Sequence, residues 1–304
     1  MDTGRGMPAF LVLASPAAGN TDDDTVEQGL EVLRAAGEVR VVETGTPEQL
    51  DAALDGRDGH TLVVAGGDGS MHAVVERLHA RGELAEVSLG LLPLGTGNDF
   101  ARGLALPTDP AEAAGVIVAG RPREVDLLCD EDGGAVVVNS VHAGAGADAA
   151  RAGKSWKERW GRVGYLIGAV RAIGAPEHIH VRVEVDGEEV CTPAEHVLQV
   201  AIGNGRYVGG GAPLTPDARP DDGEVDVLIA RTRGLGARLG YAANLLLGRH
   251  GARADVTTVR GRRVEISGED FWCSEDGELT GPHRRRAWRI APAAYRIFVG
   301  DDAG

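Results

Sequence analysis

Two short glycine-rich segments place acidic residues where a phosphate group would have to sit: Gly66-Gly67-Asp68-Gly69-Ser70 and Gly95-Thr96-Gly97-Asn98-Asp99. Glycine lets the backbone approach an anion closely, and amides at a helix start supply hydrogen-bond donors. A carboxylate such as Asp68 beside phosphate is unfavourable unless a cation or an acceptor hydroxyl shares the site. That is the logic of phosphoryl transfer, in which positioning and charge neutralisation supply most of the catalysis. Taken alone, the first segment reads equally well as a tight strand-to-helix turn with Asp68 as a cap. Glycine is 45 of the 304 residues, about twice average usage, so a single glycine-rich match carries little weight. A third acidic segment, Asp276-Gly277-Glu278, reads on its own residues as an exposed hairpin turn.

The elements around the two loops strengthen the reading. Apolar runs at 10–14, 39–42, 61–65 and 89–92 predict buried parallel strands. Helical segments lie between them, one capped by Asp22 or Asp23 and carrying Val26, Leu30 and Leu33, one carrying Leu50, Ala53 and Leu54, and one over 71–81 with Val74, Val75 and Leu78 on one face. Strands alternating with helices predict a parallel sheet covered on both faces. Both loops then follow a strand and open a helix, at the sheet edge where open α/β sheets bind ligands. After about residue 121 strand-like runs follow one another, at 124–128, 135–140, 178–185, 195–202, 224–229, 263–266 and 289–290. Alternation in His180–Val185 and the pair Asp186-Gly187 predict antiparallel hairpins with one wet face. Helical segments at 156–173 and 235–247 interrupt them.

Composition narrows the classes. A hydrophobic fraction of 43% and a charged fraction of 25% are those of a soluble globular protein. The net charge of −15 argues against a general nucleic-acid surface and against broad adhesion to anionic lipid. Cys129, Cys191 and Cys273 are odd in number and match no metal spacing, which favours reduced thiols in the cytoplasm. No run approaches the roughly 18 apolar residues of a membrane span, and the apolar run at 10–14 is too short for a signal sequence. Gly153-Lys154-Ser155 lacks the earlier glycine of a Walker loop, no Gly-x-Gly-x-x-Gly fingerprint occurs, and no zinc motif is present.

The ordered motifs resemble the signatures of the diacylglycerol kinase catalytic family, which includes bacterial lipid kinases and sphingosine kinases. Besides the two loops, Ser15-Pro16-Ala17-Ala18-Gly19 resembles the family's opening turn and Thr44 its second-strand threonine. Asn139 through Gly144-x-Gly146-x-Asp148 resembles its crossover into a second domain. Gly203-Asn204-Gly205-Arg206-Tyr207-Val208-Gly209-Gly210-Gly211, then Pro216-Asp217-Ala218 and Asp221-Asp222-Gly223, are the fullest match, and Asp276-Gly277-Glu278 resembles the late Asp-Gly-Glu motif. The resemblance spans residues 9 to 299. It implies an α/β nucleotide-binding domain over 1–122 with a returning strand at 292–304, a β-rich antiparallel lipid-substrate domain over 123–291, and an active site in the cleft between them. It further implies ATP held by Ser15 to Gly19, Thr44, Gly66 to His72 (including Met71) and Gly95 to Asp99. Glu278 would be the general base, with Asp276 beside it and Asp68 assisting phosphate and Mg²⁺. A structural Mg²⁺ would lie on Asp222 and the carbonyls of Arg219 and Glu224. The implied partner is a lipid at the membrane surface reached from the cytoplasm, with room for a homodimer.

Three departures stand out. Ser15 replaces the family's Asn, and Ser70 its Thr. The helix after the first loop reads Ser70-Met71-His72-Ala73 where the family has Thr-x-Asn-Glu, so a carboxylate is missing and His72 stands in for the amide. Arg159 and Arg162 resemble basic phosphate contacts of related kinases, or else form a solvated face. Ala73 leaves two alternatives beside a lipid kinase: a kinase of the same fold acting on a metabolite hydroxyl, and a non-catalytic nucleotide- or lipid-binding module.

Overall fold

The computed structural model of the chain describes residues 7–15, 23–145, 147 and 178–300. Two units are distinguished, Met1–Val125 with Ala293–Gly304, and Asp126–Pro292. Pro16, Ala17, Ala18 and Gly19 fall outside the described residues, as do Gly146, Asp148, the helix expected at 156–173, Arg159 and Arg162.

The first unit runs β1 (Ala9–Ala14), α1 (Asp23–Ala36), β2 (Glu38–Glu43), α2 (Pro47–Asp55), β3 (Thr61–Gly66), α3 (Asp68–Ala80), β4 (Ser88–Pro93), α4 (Asp99–Gly103) and α5 (Pro110–Ala119). Its strands form a parallel sheet in the order β2-β1-β3-β4, to which the end of the last strand, β16 (Glu278–Phe298), adds beside β4 through Arg296 and Ile297. Side chains alternate across the sheet. Phe10, Val12, Val63, Ala65 and Leu92 therefore meet Leu30 and Leu33 of α1 and Ala113, Ala114 and Ile117 of α5 in one core. Close approach of α5 needs Gly90, since a Cβ there would lie 2.7 Å from Ile117 Cδ1. Local chemistry starts the helices where they begin. Thr46 and Gln49 form a reciprocal capping box with Pro47 in the first turn of α2, and Asp109 caps α5 by accepting from the amides of Ala111 and Glu112. One expectation needs correction: β2 is not a buried strand. Among the described residues it pairs only with β1, at the sheet edge, and leaves Val41 43% exposed.

The second unit is antiparallel and β-rich. Its strands are β5 (Pro122–Asp130), which begins in the first unit, β6 (Val136–Val137), β7 (Ser140–Gly144), β8 (Val181–Val185), β9 (Glu188–Cys191), β10 (Gln199–Gly203), β11 (Tyr207–Val208), β12 (Ala212–Pro213), β13 (Val225–Ala230), β14 (Val256–Gly261), β15 (Arg263–Glu275) and most of β16. Pairing runs β14-β13-β10-β7-β15-β16, with β8 on β15 and β9 on β8. Asp186 and Gly187 both take positive φ, 52° and 86°, at the β8–β9 turn, as a two-residue hairpin requires. Val181, Val183, Val200, Ile202, Val227, Val264, Ile266, Phe271 and Trp288 share one core. Helix α6 (Leu235–Leu246) packs Tyr241 into a second cluster with Leu228, Ala230 and Val256. The three cysteines are unpaired.

Candidate active site

Because β1 to β4 run parallel, Ser15, Thr44 and both glycine loops follow the C-terminal ends of neighbouring strands. Ser15 N–H donates to Ala65 O at 3.2 Å, and the Thr44 backbone N–H donates to Ala14 O at 2.9 Å. The two loops are joined by Asp68. Its carboxylate accepts from the amides of Asp99 (3.1 Å) and Phe100 (2.9 Å), at the start of α4. Asp68 therefore caps the helix of the second loop and not its own; α3 begins at Gly67 without any side-chain cap. Ser70 and Met71 N–H donate to Gly67 O, which leaves the first two N–H groups of α3, those of Asp68 and Gly69, for solvent or an anion.

Glycine at the loop contact is a steric requirement. A Cβ on Gly95 would lie 2.6 Å from Gly67 Cα, and one on Gly67 would lie 2.9 Å from Gly95 Cα. Asn98 takes φ 51° and its Oδ1 accepts from Gly95 N–H at 2.9 Å, fixing the second loop. Gly69 and Thr96 are exposed, and His72 is half-buried. Met71 departs from its expected place at the nucleotide. Its side chain is 1% exposed in the core and its N–H donates to Gly67 O, because it occupies the apolar face of α3 with Val74, Val75 and Leu78. Ala73 is exposed.

In the second unit the β15–β16 turn is Glu275-Asp276-Gly277-Glu278, with Glu275 opposite Glu278. Asp276 (φ 47°) and Gly277 (φ 92°) supply the positive torsions such a turn needs. Glu278 is exposed. The Asp276 carboxylate turns inward instead, accepting from the amides of Val138 (2.6 Å), Asn139 (2.9 Å) and Ser140 (2.9 Å). Asn139 in turn accepts through its carbonyl from Asn204 and Gly205 N–H, and donates from Nδ2 to Tyr207 O at 2.7 Å. The long glycine segment is therefore tied to the Asp-Gly-Glu turn through residues 138–140. Gly205 is required there, since a Cβ would lie 1.9 Å from Asn139 Oδ1.

The expected structural cation meets a different arrangement. Asp222 pairs through one oxygen with Arg260 Nη2 and accepts from Glu224 N–H with the other. Arg260 also reaches Glu224 at 3.2 Å and Asp226 at 3.4 Å. Burial pushes the Asp226 carboxyl up to about 6, against the pull of Arg260. A guanidinium thus occupies the centre of these acids, and a divalent cation would have to displace it. Among the described residues no group of three or more His, Cys, Asp or Glu side chains could hold a metal ion.

One residue escaped the sequence reading. His142 lies on β7, its Nε2 3.1 Å from Ser140 Oγ, two residues from the amides that Asp276 holds. Burial pushes its imidazole down to about 4, and the nearby Asp276 only partly opposes this. A neutral histidine so placed sets the packing beneath the turn. Only the alternation of Ser140 and His142 along one strand face hinted at it.

Comparison with known proteins agrees with both halves of this geometry. Residues 9–129 match the diacylglycerol kinase catalytic domain, and residues 139–299 match the YegS C-terminal NAD kinase beta sandwich-like domain. A protein named "Probable lipid kinase YegS-like" from Xanthomonas oryzae pv. oryzae is 34% identical over 301 residues, covering 93% of this chain and 94% of its own. Its namesake from Pseudomonas aeruginosa is 33% identical over 302 residues, covering 95% and 93%. A crystal structure of a diacylglycerol kinase from Bacillus anthracis superposes with a TM-score of 0.74 at 21% identity, covering 99% of this chain and all of that one. With two domain matches in the same order and relatives aligned over nearly the full length, the chain belongs to the YegS-like lipid kinases of the diacylglycerol kinase family.

Proposed function

We propose that the chain transfers the γ-phosphate of ATP, bound as its Mg²⁺ complex, to the hydroxyl of diacylglycerol or a related lipid alcohol. The observation that carries this reading is the Asp68 clamp, which joins two glycine loops at the ends of adjacent parallel strands into one surface of backbone amides. Gly66 to Ser70, His72 and Gly95 to Asp99 then bound the phosphates, and Ser15 and Thr44 flank them. Pro16 to Gly19 are assigned to the same site from sequence alone. With both carboxylate oxygens on amides, Asp68 retains one lone pair on each for the metal carried by the nucleotide.

Glu278 is the base. Its carboxylate takes the proton of the acceptor hydroxyl while that oxygen forms a bond to the γ-phosphorus. The bond from phosphorus to the β,γ-bridging oxygen breaks, and ADP leaves with the electron pair. Asp276 is a positioning residue, because three amides engage its carboxylate. The reading puts the chain in the cytoplasm with transient membrane contact, where ATP and a bilayer substrate meet.

The test is transfer of labelled phosphate from ATP with Mg²⁺ to a panel of lipid alcohols in mixed micelles. A labelled lipid phosphate is the expected product. Label on a soluble metabolite and on no lipid would replace the acceptor class, and ATP binding with no turnover on any acceptor would overturn the kinase reading.

A further inference from the structure

Helix α6 presents its leucines outward. Leu235, Leu239 and Leu246 are 61%, 51% and 53% exposed, and Leu247 just beyond the helix is 67% exposed. At 3.6 residues per turn the three helical leucines fall within about 40° of arc, on one stripe. The opposite side is the anchored one. Tyr241 is 3% exposed and packs edge-on against His250 at 5.9 Å, with Leu245 beside the same cluster. The helix is thus held by one apolar face and offers a second to its surroundings. Met7, Val41 and Val118 are the other large hydrophobics exposed among the described residues, and none lies on this helix.

The charge around this stripe is opposite to that of the chain. Between Asp226 and Asp255 there is no acidic residue, while Arg231, Arg233, Arg238, Arg249 and Arg253 all fall there, in a chain of net charge −15. Glu195 neutralises Arg231, and Asp255 neutralises Arg253. Arg233 and Arg249, one at each end of the helix, are exposed, and neither pairs with a carboxylate among the described residues. A leucine stripe bracketed by two uncompensated guanidiniums matches an interface of apolar chains beneath anionic headgroups.

We infer that α6 docks the chain on bilayers containing anionic phospholipid, inserting Leu235, Leu239, Leu246 and Leu247 while Arg233 and Arg249 engage headgroup phosphates. Charge complementarity selects this occupant over a second copy of the chain, whose own α6 would bring arginines against arginines. The inference deepens the lipid-kinase reading by naming how the substrate surface is met, but vesicle binding does not depend on catalysis. The two therefore fail separately.

The experiment is flotation of the full chain with phosphatidylglycerol-containing vesicles and with phosphatidylcholine-only vesicles. The wild type is expected to float with the former, with roughly tenfold weaker binding to the latter and a decline with added salt. Leu235→Ser with Leu239→Ser should reduce flotation at least tenfold without lowering the melting temperature, because both side chains are already exposed. Arg233→Gln with Arg249→Gln should abolish the preference for the anionic lipid. Flotation of the leucine variant at the wild-type level would overturn the inference, as would a wild type that stays with the aqueous phase. A wild-type dimer that the leucine variant converts to monomer, with vesicle binding unchanged, would assign the face to a second copy instead.

Discussion

Asp68 and Asp276 use one device in two places. Each carboxylate is anchored on backbone N–H groups of a segment far away in sequence, two amides for Asp68 and three for Asp276. An amide replacing such a carboxylate loses an acceptor and leaves a backbone donor unsatisfied, at a cost of about 1–3 kcal/mol. Asp68→Asn should therefore lower the melting temperature and weaken ATP binding about tenfold, the equivalent of ~1.4 kcal/mol; calorimetric titration with ATP measures it, and unchanged affinity would detach the clamp from the nucleotide site. His142 gives a pH signature. Its pKa is about 4 in the folded chain, against about 6.5 unfolded, so between those values the unfolded chain binds the extra proton. Stability rises with pH across that window and falls by about 1.4 kcal/mol per pH unit on acidification. The difference in unfolding free energy between wild type and His142→Gln should show this slope between pH 6 and pH 4.5, and be flat above pH 7. Parallel curves would place the titration elsewhere.

At the scale of elements, what was legible in the sequence and what was not have physical causes. The glycine loops could be read because their residues are set by close backbone contact: Gly67 against Gly95 admits no Cβ, and Asp276-Gly277 is what a tight hairpin demands. Strand β7 was hidden. Its residues, Ser-Val-His-Ala-Gly, alternate over only four positions before the glycines at 144 and 146, so they read as a glycine-rich crossover, and the structure buries all five on both faces. The inward role of Asp276 was invisible for a different reason, since its partners lie some 136 to 138 residues away. Arg260 is another long-range partner that no local pattern announces. Its guanidinium lies among Asp222, Glu224 and Asp226 and already supplies these acids with a counter-charge. Chelation should leave the melting temperature of the nucleotide-free wild type unchanged. Arg260→Gln should melt lower, because three carboxylates then stand without a counter-charge. Thermal scans with and without chelator decide this, and a wild type destabilised by the chelator would restore the metal.

For the whole molecule, the division of labour is the substance of the account. The α/β unit carries the amide-lined loops, and the β-rich unit carries the exposed Glu278 and the leucine-faced helix, whose acid-free segment stands out against the chain's net charge of −15. The Ala73 departure is consistent with this division, since that position is exposed on α3 and the loop clamp does not use it. The measurement that tests the central claim most directly compares wild type and Glu278→Gln at saturating MgATP and lipid acceptor, with ATP affinity measured on the same preparations. If nucleotide binding and proton abstraction are separate tasks, turnover falls by roughly a thousandfold or more while ATP affinity stays within about twofold. A variant that retains near-normal turnover, or that loses ATP binding along with activity, would contradict the account.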